Sequence, residues 1–240
     1  MPALLEIDAL ESGYGKTTVL HGIGLAVADG ERLGLFGPNG HGKTTLLRTI
    51  SGLLKPTRGS IRFGGEDIGG MEPRRIVAKG LIHVAQANQL FPELTVAENL
   101  ALAAYGRGTT ASEAATLARI EALFPRLAER RGQTCRTLSG GERQMVAIGV
   151  GLMGAPRLLM LDEPTLGLSP RLKDELCEAI LKIAADGLPL IVVEQDVEFL
   201  ASVTDRLVML EHGQTGIEVS SGDGLDHDRI MDLYFGRHGQ

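Results

Sequence analysis

Eight consecutive residues constrain this chain more than any others. Gly37, Pro38, Asn39, Gly40, His41, Gly42, Lys43 and Thr44 fill the pattern G-x-x-x-x-G-K-[ST] in full. Such a run needs a strand to feed it and a helix to open out of it, and both are predicted: an apolar strand over 32–36 and a helix beginning near Lys43. The glycines let the backbone close around phosphate oxygens with successive N–H groups pointing inward, and the helix N-terminus adds partial positive charge at the same place. Lys43 is then set to reach the β- and γ-phosphates of a nucleoside triphosphate, and the Thr44 hydroxyl to bind Mg²⁺. The His41 side chain is an oddity in the loop and is given no chemistry. A similar run, G-Y-G-K-T-T at 13–18, has Leu10 where its first glycine should stand and no suitable strand before it. It reads as a turn between the first two strands.

Glycines fall at the ends of short apolar runs, where strands hand over to helices or loops. Strands are predicted over 4–9, 19–27, 32–36, 60–63, 81–85, 158–161, 190–193 and 206–210. Helices are predicted over 43–51, 96–105, 112–124, 140–153, 170–186 and 197–203. Alternation of buried strands with helices points to an α/β fold with a largely parallel sheet. From about 93 to 153 there are helices and polar turns but no convincing strand, which reads as an all-helical insert, and a helical subdomain is set at about 87–153 within a single ATP-binding domain over 1–240. The charged stretch 126–136 reads as a solvated helix end and linker. Thirty acidic against 24 basic residues leave a net charge of −6. That balance argues against general nucleic-acid binding, which draws most of its affinity from clustered positive charge. No apolar run approaches a bilayer span, and the first residues lack the basic start of a secretory signal. Cys135 and Cys177 lie far apart without metal-ligand spacing, so idle thiols in a reducing compartment are expected. The expectation is a cytoplasmic protein without an anchor of its own.

A second motif, L-L-M-L-D-E-P at 158–164, is an apolar strand ending in two carboxylates. In a parallel sheet ligands gather beyond the carboxyl ends of the strands, so these acids should face the phosphate loop. Strand alternation should point them in different directions and so give them different tasks. Asp162 is expected to hold Mg²⁺, through water, and Glu163 to orient, or take a proton from, the water that attacks the γ-phosphate.

Between the two lies L-S-G-G-E at 138–142, opening a long helix. Ser139 is a natural N-cap. Gly140 and Gly141 are poor helix formers, which capping does not explain, but bare backbone there would admit a second anion. One chain cannot easily use two phosphate-binding helix ends on one nucleotide, so the second should serve a neighbouring chain.

This ordered set resembles the ATP-binding subunit of ABC transporters over nearly all 240 residues. It comprises the loop at 37–45, Gln86 after the strand 81–85, the run 138–142, and Asp162–Glu163. The resemblance implies a P-loop NTPase core with a mostly parallel sheet, an antiparallel β region near the N-terminus and an inserted helical subdomain. It implies a head-to-tail dimer with two ATP molecules between the chains, Ser139, Gly140 and Gly141 of one closing on the γ-phosphate held by Lys43, Thr44 and Thr45 of the other. Tyr14 matches the aromatic that stacks on adenine, and Gln86 the glutamine that touches Mg²⁺ or the attacking water.

The wording between motifs is similar to the branched-chain amino-acid and urea uptake subgroup: F-P-E-L-T-V-A-E-N-L at 91–100, E-P-T-L-G-L-S at 163–169 and V-E-Q-D at 193–196. Two positions depart from the general pattern. Gln195 stands where a histidine is usual; it can donate an amide N–H to a phosphate oxygen but cannot titrate, so its task is positioning. Ser169 stands where an aspartate is usual. The resemblance implies integral-membrane permease subunits and a second ATP-binding subunit as partners, with an extracytoplasmic solute-binding protein further away. It places the chain at the cytoplasmic face of the inner membrane. Rival readings are a DNA-repair ATPase, which would carry long coiled coils that this chain lacks, a soluble ATP-switched interaction protein, and a subunit with weak hydrolysis.

Overall fold

The structure is a computed structural model that describes residues 3–86, 90–104 and 110–220. Its first layer is an antiparallel sheet. Strands β1 (Ala3–Tyr14) and β2 (Thr17–Ala28) form a hairpin, so the 13–18 run is the tight turn expected of it. The strand β3 (Arg32–Phe36) and helix α1 (Lys43–Ile50) then pass to the second layer before β4 (Pro56–Phe63) and the short β5 (Glu66–Asp67) return to complete the order β2-β1-β4-β5. Strand β1 runs five residues beyond the predicted 4–9. Its register slips between Ile7 and Leu10 and Ala9 takes a φ of 44°, so the buried positions move from Leu5 and Ile7 to Leu10 and Ser12. A bulge of this kind swaps the faces and ends the alternation a sequence reading follows.

The second layer is a six-stranded sheet in the order β10-β9-β3-β8-β7-β6. After helix α2 (Pro73–Ala78) come β6 (Leu81–Val84), then, beyond the helices described next, β7 (Leu158–Asp162), β8 (Leu190–Val193), β9 (Arg206–Glu211) and β10 (Gln214–Ser220). All pairings are parallel except β9 with β10. Successive side chains of β7, β8 and β9 enter two different cores, which is why these strands read as unbroken apolar runs. Leu159 and Leu161 of β7 and Leu190 and Val192 of β8 pack under the helices. Leu158, Met160, Ile191 and Val193 pack toward α1 and the antiparallel sheet.

Helices α3 (Val96–Ala104), α4 (Thr110–Leu123), α5 (Pro125–Glu129) and α6 (Gly140–Met153) form the helical part, followed by α7 (Pro170–Ala185) and α8 (Val197–Val203) against the sheet. Among the described residues from 93 to 153 the elements are helices, and an isolated bridge joins Thr95 to Thr134. Tyr105 of the predicted helix 96–105, and residues 87–89 at the predicted edge of the subdomain, lie outside the described residues. Two of these helices start with reciprocal caps. Thr95 exchanges backbone and side-chain bonds with Glu98 ahead of α3, and Ser139 does the same with Glu142 at α6. Val96, Leu100, Ile120, Phe124, Met145 and Ile148 of this part join the same core as Leu159, Leu161, Leu190 and Val192.

The register decides where the chemistry collects. Leu35 of β3 lies opposite Val193 of β8, Val193 opposite Asp162 of β7, and Leu161 opposite Val84 of β6. The loops that begin at Gly37, Gln86, Glu163 and Glu194 therefore leave the sheet side by side at one edge.

Candidate nucleotide and catalytic site

Gly37 leaves β3 with a φ of 145°, and a Cβ there would sit 2.1 Å from the Leu210 carbonyl oxygen. No other residue fits without moving that backbone. The loop enters α1 through Gly42, whose φ is 104° and which provides no side-chain cap. The first N–H groups of α1 are thus left to an external acceptor. Lys43 Nζ, on a side chain only 5% exposed, donates to the carbonyl oxygens of Gly37 at 2.7 Å and Pro38 at 3.1 Å. Burial pulls its pKa below the usual lysine value, while Glu163, Asp162 and Glu194 oppose that shift. A phosphate brought against Lys43 would supply the close negative charge that burial denies it.

Thr44 Oγ1 donates to Asp162 Oδ1 at 3.3 Å. Asp162 is 2% exposed, and its Oδ2 has no hydrogen-bond partner. A buried, unpartnered carboxylate oxygen beside a hydroxyl is a donor set of hard oxygens, and it fits Mg²⁺. Burial raises the Asp162 pKa, with the Thr44 hydrogen bond acting against it. Its folded-state pKa thus lies above the unfolded one, so its contribution to stability is present below the unfolded value and lost as pH rises through the folded value. Asp162→Asn has no proton to lose. The variant should match the wild type in acid and exceed its Tm at neutral pH. Thermal melts of both proteins across pH without nucleotide check this.

Asp162 and Glu163 take different hydrogen-bond partners, but strand alternation is not what sets them apart. Glu163 lies beyond the strand, and a φ of 47° turns it away while its N–H donates to the Val193 carbonyl at 2.9 Å. An outlying backbone conformation, rather than strand alternation, separates the two acids. Each Glu163 oxygen accepts one amide: Oε2 from Gln86 Nε2 at 2.7 Å and Oε1 from Gln195 Nε2 at 3.1 Å. The carboxylate is held in place from both sides by groups that cannot take its proton.

Behind this bracket stands a residue the sequence reading passed over. Glu194, 4% exposed, accepts from the Thr165 N–H and hydroxyl, both at 2.7 Å, and from the Gln195 N–H at 3.2 Å. Burial raises its pKa and these hydrogen bonds lower it. It ties the loop after Glu163 to the loop carrying Gln195. Its only signal in sequence was an acid directly after an apolar strand, as at Asp162.

The remaining residues stand apart. Tyr14 ends β1, is 46% exposed and accepts from Arg48 Nη1 at 3.3 Å. The hydrogen bonds of Ser139 run to Glu142 and Arg143. The two glycines after it differ. Gly141 has a packing reason, since a Cβ would lie 2.5 Å from Leu172 Cδ1, so the two need not share one explanation. Gly140 would meet nothing within 4 Å, and packing does not require it. Ser169 precedes α7 without a side-chain capping bond.

Residues 20–166 match the family model described as ABC transporter. The chain belongs to the ABC transporter family. It is an ATP-binding subunit and an ATPase, whose hydrolysis drives transport, and importer subunits of this kind work with membrane permease components. This ABC ATPase is 36% identical over 233 residues to the high-affinity branched-chain amino acid transport ATP-binding protein BraG of Pseudomonas aeruginosa, covering 97% of this chain and 100% of the relative. It is 38% identical over 222 residues to the lipoprotein-releasing system ATP-binding protein LolD of Geobacter metallireducens, covering 89% and 98%. Among solved structures, the ATP-binding cassette MJ1267 in its ADP conformation superposes with a TM-score of 0.83 at 25% identity, over 98% of this chain and all of that one. Among the described residues, no helix of the ABC ATPase is long and apolar enough to cross a membrane.

Proposed function

We propose that this chain hydrolyses Mg·ATP in a head-to-tail dimer to power uptake of branched-chain or other hydrophobic amino acids, or of urea-like amides, through separate permeases. The observation that carries the catalytic part is the Glu163 carboxylate, held by two amides beside Lys43 and the buried Asp162. Gly37 to Thr45 wrap the phosphates with backbone N–H groups, and Lys43 exchanges its two carbonyl partners for phosphate oxygens. Thr44 and Asp162, with Gln86, would hold Mg²⁺, which would supply charge neutralisation for the phosphates. Glu163 takes the proton of the water that attacks the γ-phosphorus. Gln86 and Gln195 fix where that carboxylate points, and Gln195 adds an N–H for a γ-phosphate oxygen. Tyr14, exposed at the end of β1, stacks on the adenine.

Ser139, Gly140 and Gly141 close on the nucleotide of a second subunit, a reading supported by the open space at Gly140. ATP then touches both subunits in the closed state, and hydrolysis removes the bridge, which gives the switch its differential affinity. The second subunit is a paralogue or another copy of this chain. The whole chain works as one unit whose helical part, about 87–153, faces the permeases at the cytoplasmic side of the inner membrane, and the continuous core supports it. An extracytoplasmic binding protein delivers the solute.

The solute rests on the end-to-end likeness to BraG together with the runs at 91–100, 163–169 and 193–196. Uptake of radiolabelled leucine and of urea by host cells carrying Glu163→Gln as the sole copy tests it. Leucine or urea uptake should fall to the level of cells lacking the gene. Unchanged uptake of both would remove this solute class.

A further inference from the structure

The His41 side chain has no part in the catalysis above, yet the structure gives it company. Strands β9 and β10 are joined by a two-residue turn, His212-Gly213, with Glu211 paired to Gln214. Both turn residues have positive φ, 48° and 73°, the conformation of a tight I′-type hairpin turn. That backbone aims the turn at the phosphate loop. The His212 N–H donates to His41 Nδ1 at 3.1 Å, and the Gly213 N–H donates to the His41 carbonyl at 3.1 Å. The two imidazole rings lie 4.6 Å apart, tilted by 33°. The Glu211 carboxylate completes the group, and one ligand atom from each of the three residues lies within 4.8 Å of the others.

We propose that His41, Glu211 and His212 form a binding site for a transition-metal dication of the zinc class, which staples the phosphate loop to the β9–β10 turn. Two imidazoles and a carboxylate suit Zn²⁺ and its borderline neighbours, whereas Mg²⁺ prefers all-oxygen surroundings such as Thr44 and Asp162. At metal–ligand distances of about 2.0–2.2 Å in a tetrahedron, the donor atoms stand roughly 3.4 Å apart. The three side chains must therefore close by about 1.5 Å at most. His41 and Glu211 are half-buried and His212 is exposed. Where the ion binds through His41 Nδ1, it takes the place of the His212 N–H. Three protein ligands leave the fourth position to water. The ligands come from segments far apart in the chain, so the unfolded protein does not hold them together and the ion stabilises the native state.

The test uses the intact protein without nucleotide or Mg²⁺, titrated calorimetrically with zinc chloride and melted with and without one equivalent. One equivalent should bind, millimolar Mg²⁺ should not displace it, and Tm should rise. Cobalt should give the visible absorption of a tetrahedral site. His212→Asn keeps a residue that tolerates positive φ, and Glu211→Gln keeps the size of the side chain. Each should weaken zinc binding about tenfold or more and abolish the Tm rise that zinc gives the wild type, each melt being compared with that of the same protein without zinc. Absence of zinc binding, or equal zinc affinity in wild type and both variants, would overturn the proposal. The readout is metal binding, so it stands apart from the ATPase mechanism.

Discussion

Glu163→Gln should cut ATP turnover by about 10²–10⁴-fold, the usual worth of a positioned general base, while ATP affinity stays within about threefold. The variant keeps the shape and the left-handed backbone that faces Val193. It keeps one acceptor oxygen for Gln86 or Gln195 but loses the second, and it cannot accept a proton from water. Lys43, Thr44 and Asp162 are untouched, so the phosphates bind as before. With binding intact and hydrolysis stalled, ATP should hold the closed dimer. Single-turnover phosphate release, together with light scattering in the presence of ATP, measures both halves of this expectation. Turnover at the wild-type rate would take Glu163 out of the mechanism.

Lys43→Ala should act on binding instead. Its ammonium lies buried against the loop carbonyls of Gly37 and Pro38, with three carboxylates supporting its charge. Loss of a charge-assisted contact to two phosphates in so enclosed a place should weaken ATP by about 100-fold, equivalent to about 2.8 kcal/mol. ADP should lose less, since the γ-phosphate contact is absent from it. Equilibrium titration of the variant with a fluorescent ATP analogue and with its ADP counterpart compares the two. Equal ATP affinity in variant and wild type would mean that the lysine does not reach the phosphates.

The two sites of substitution were legible in the sequence because each sits where a complete strand meets a constrained turn. Strands β3 and β8 and helices α6 and α8 have the predicted bounds, since short apolar runs end there at glycines, acids or caps. Segments that break their own pattern were harder to read. Bulges hide the second half of β1, and Gly59, with a φ of 81° and the β1 backbone 2.4 Å from its would-be Cβ, obscures the start of β4. Strand β10 is an edge strand with a largely polar, partly exposed sequence, and its turn carries histidine in place of the asparagine that marks such hairpins. Helices α2 and α5 are too short for a period to show.

Within the site, residue types were readable and their mutual restraint was not. Gln86 and Gln195 are more than a hundred positions apart, and only the register of β6, β7 and β8 brings both amides onto one carboxylate. Glu194 acquires its meaning from Thr165 in the same way. Gly141 shows the opposite case, where a motif residue owes its identity at least partly to Leu172 packed against it.

The central claim, that this ATPase serves a membrane importer, is most directly tested by gentle affinity isolation of the protein from detergent-solubilised membranes of its host. The co-purifying chains are identified by mass spectrometry. Polytopic permeases should be recovered with it, together with a second ATP-binding subunit or further copies of this one. Recovery from the soluble fraction alone, with no membrane protein attached, would contradict the account and favour an ATP-switched protein that acts away from transport.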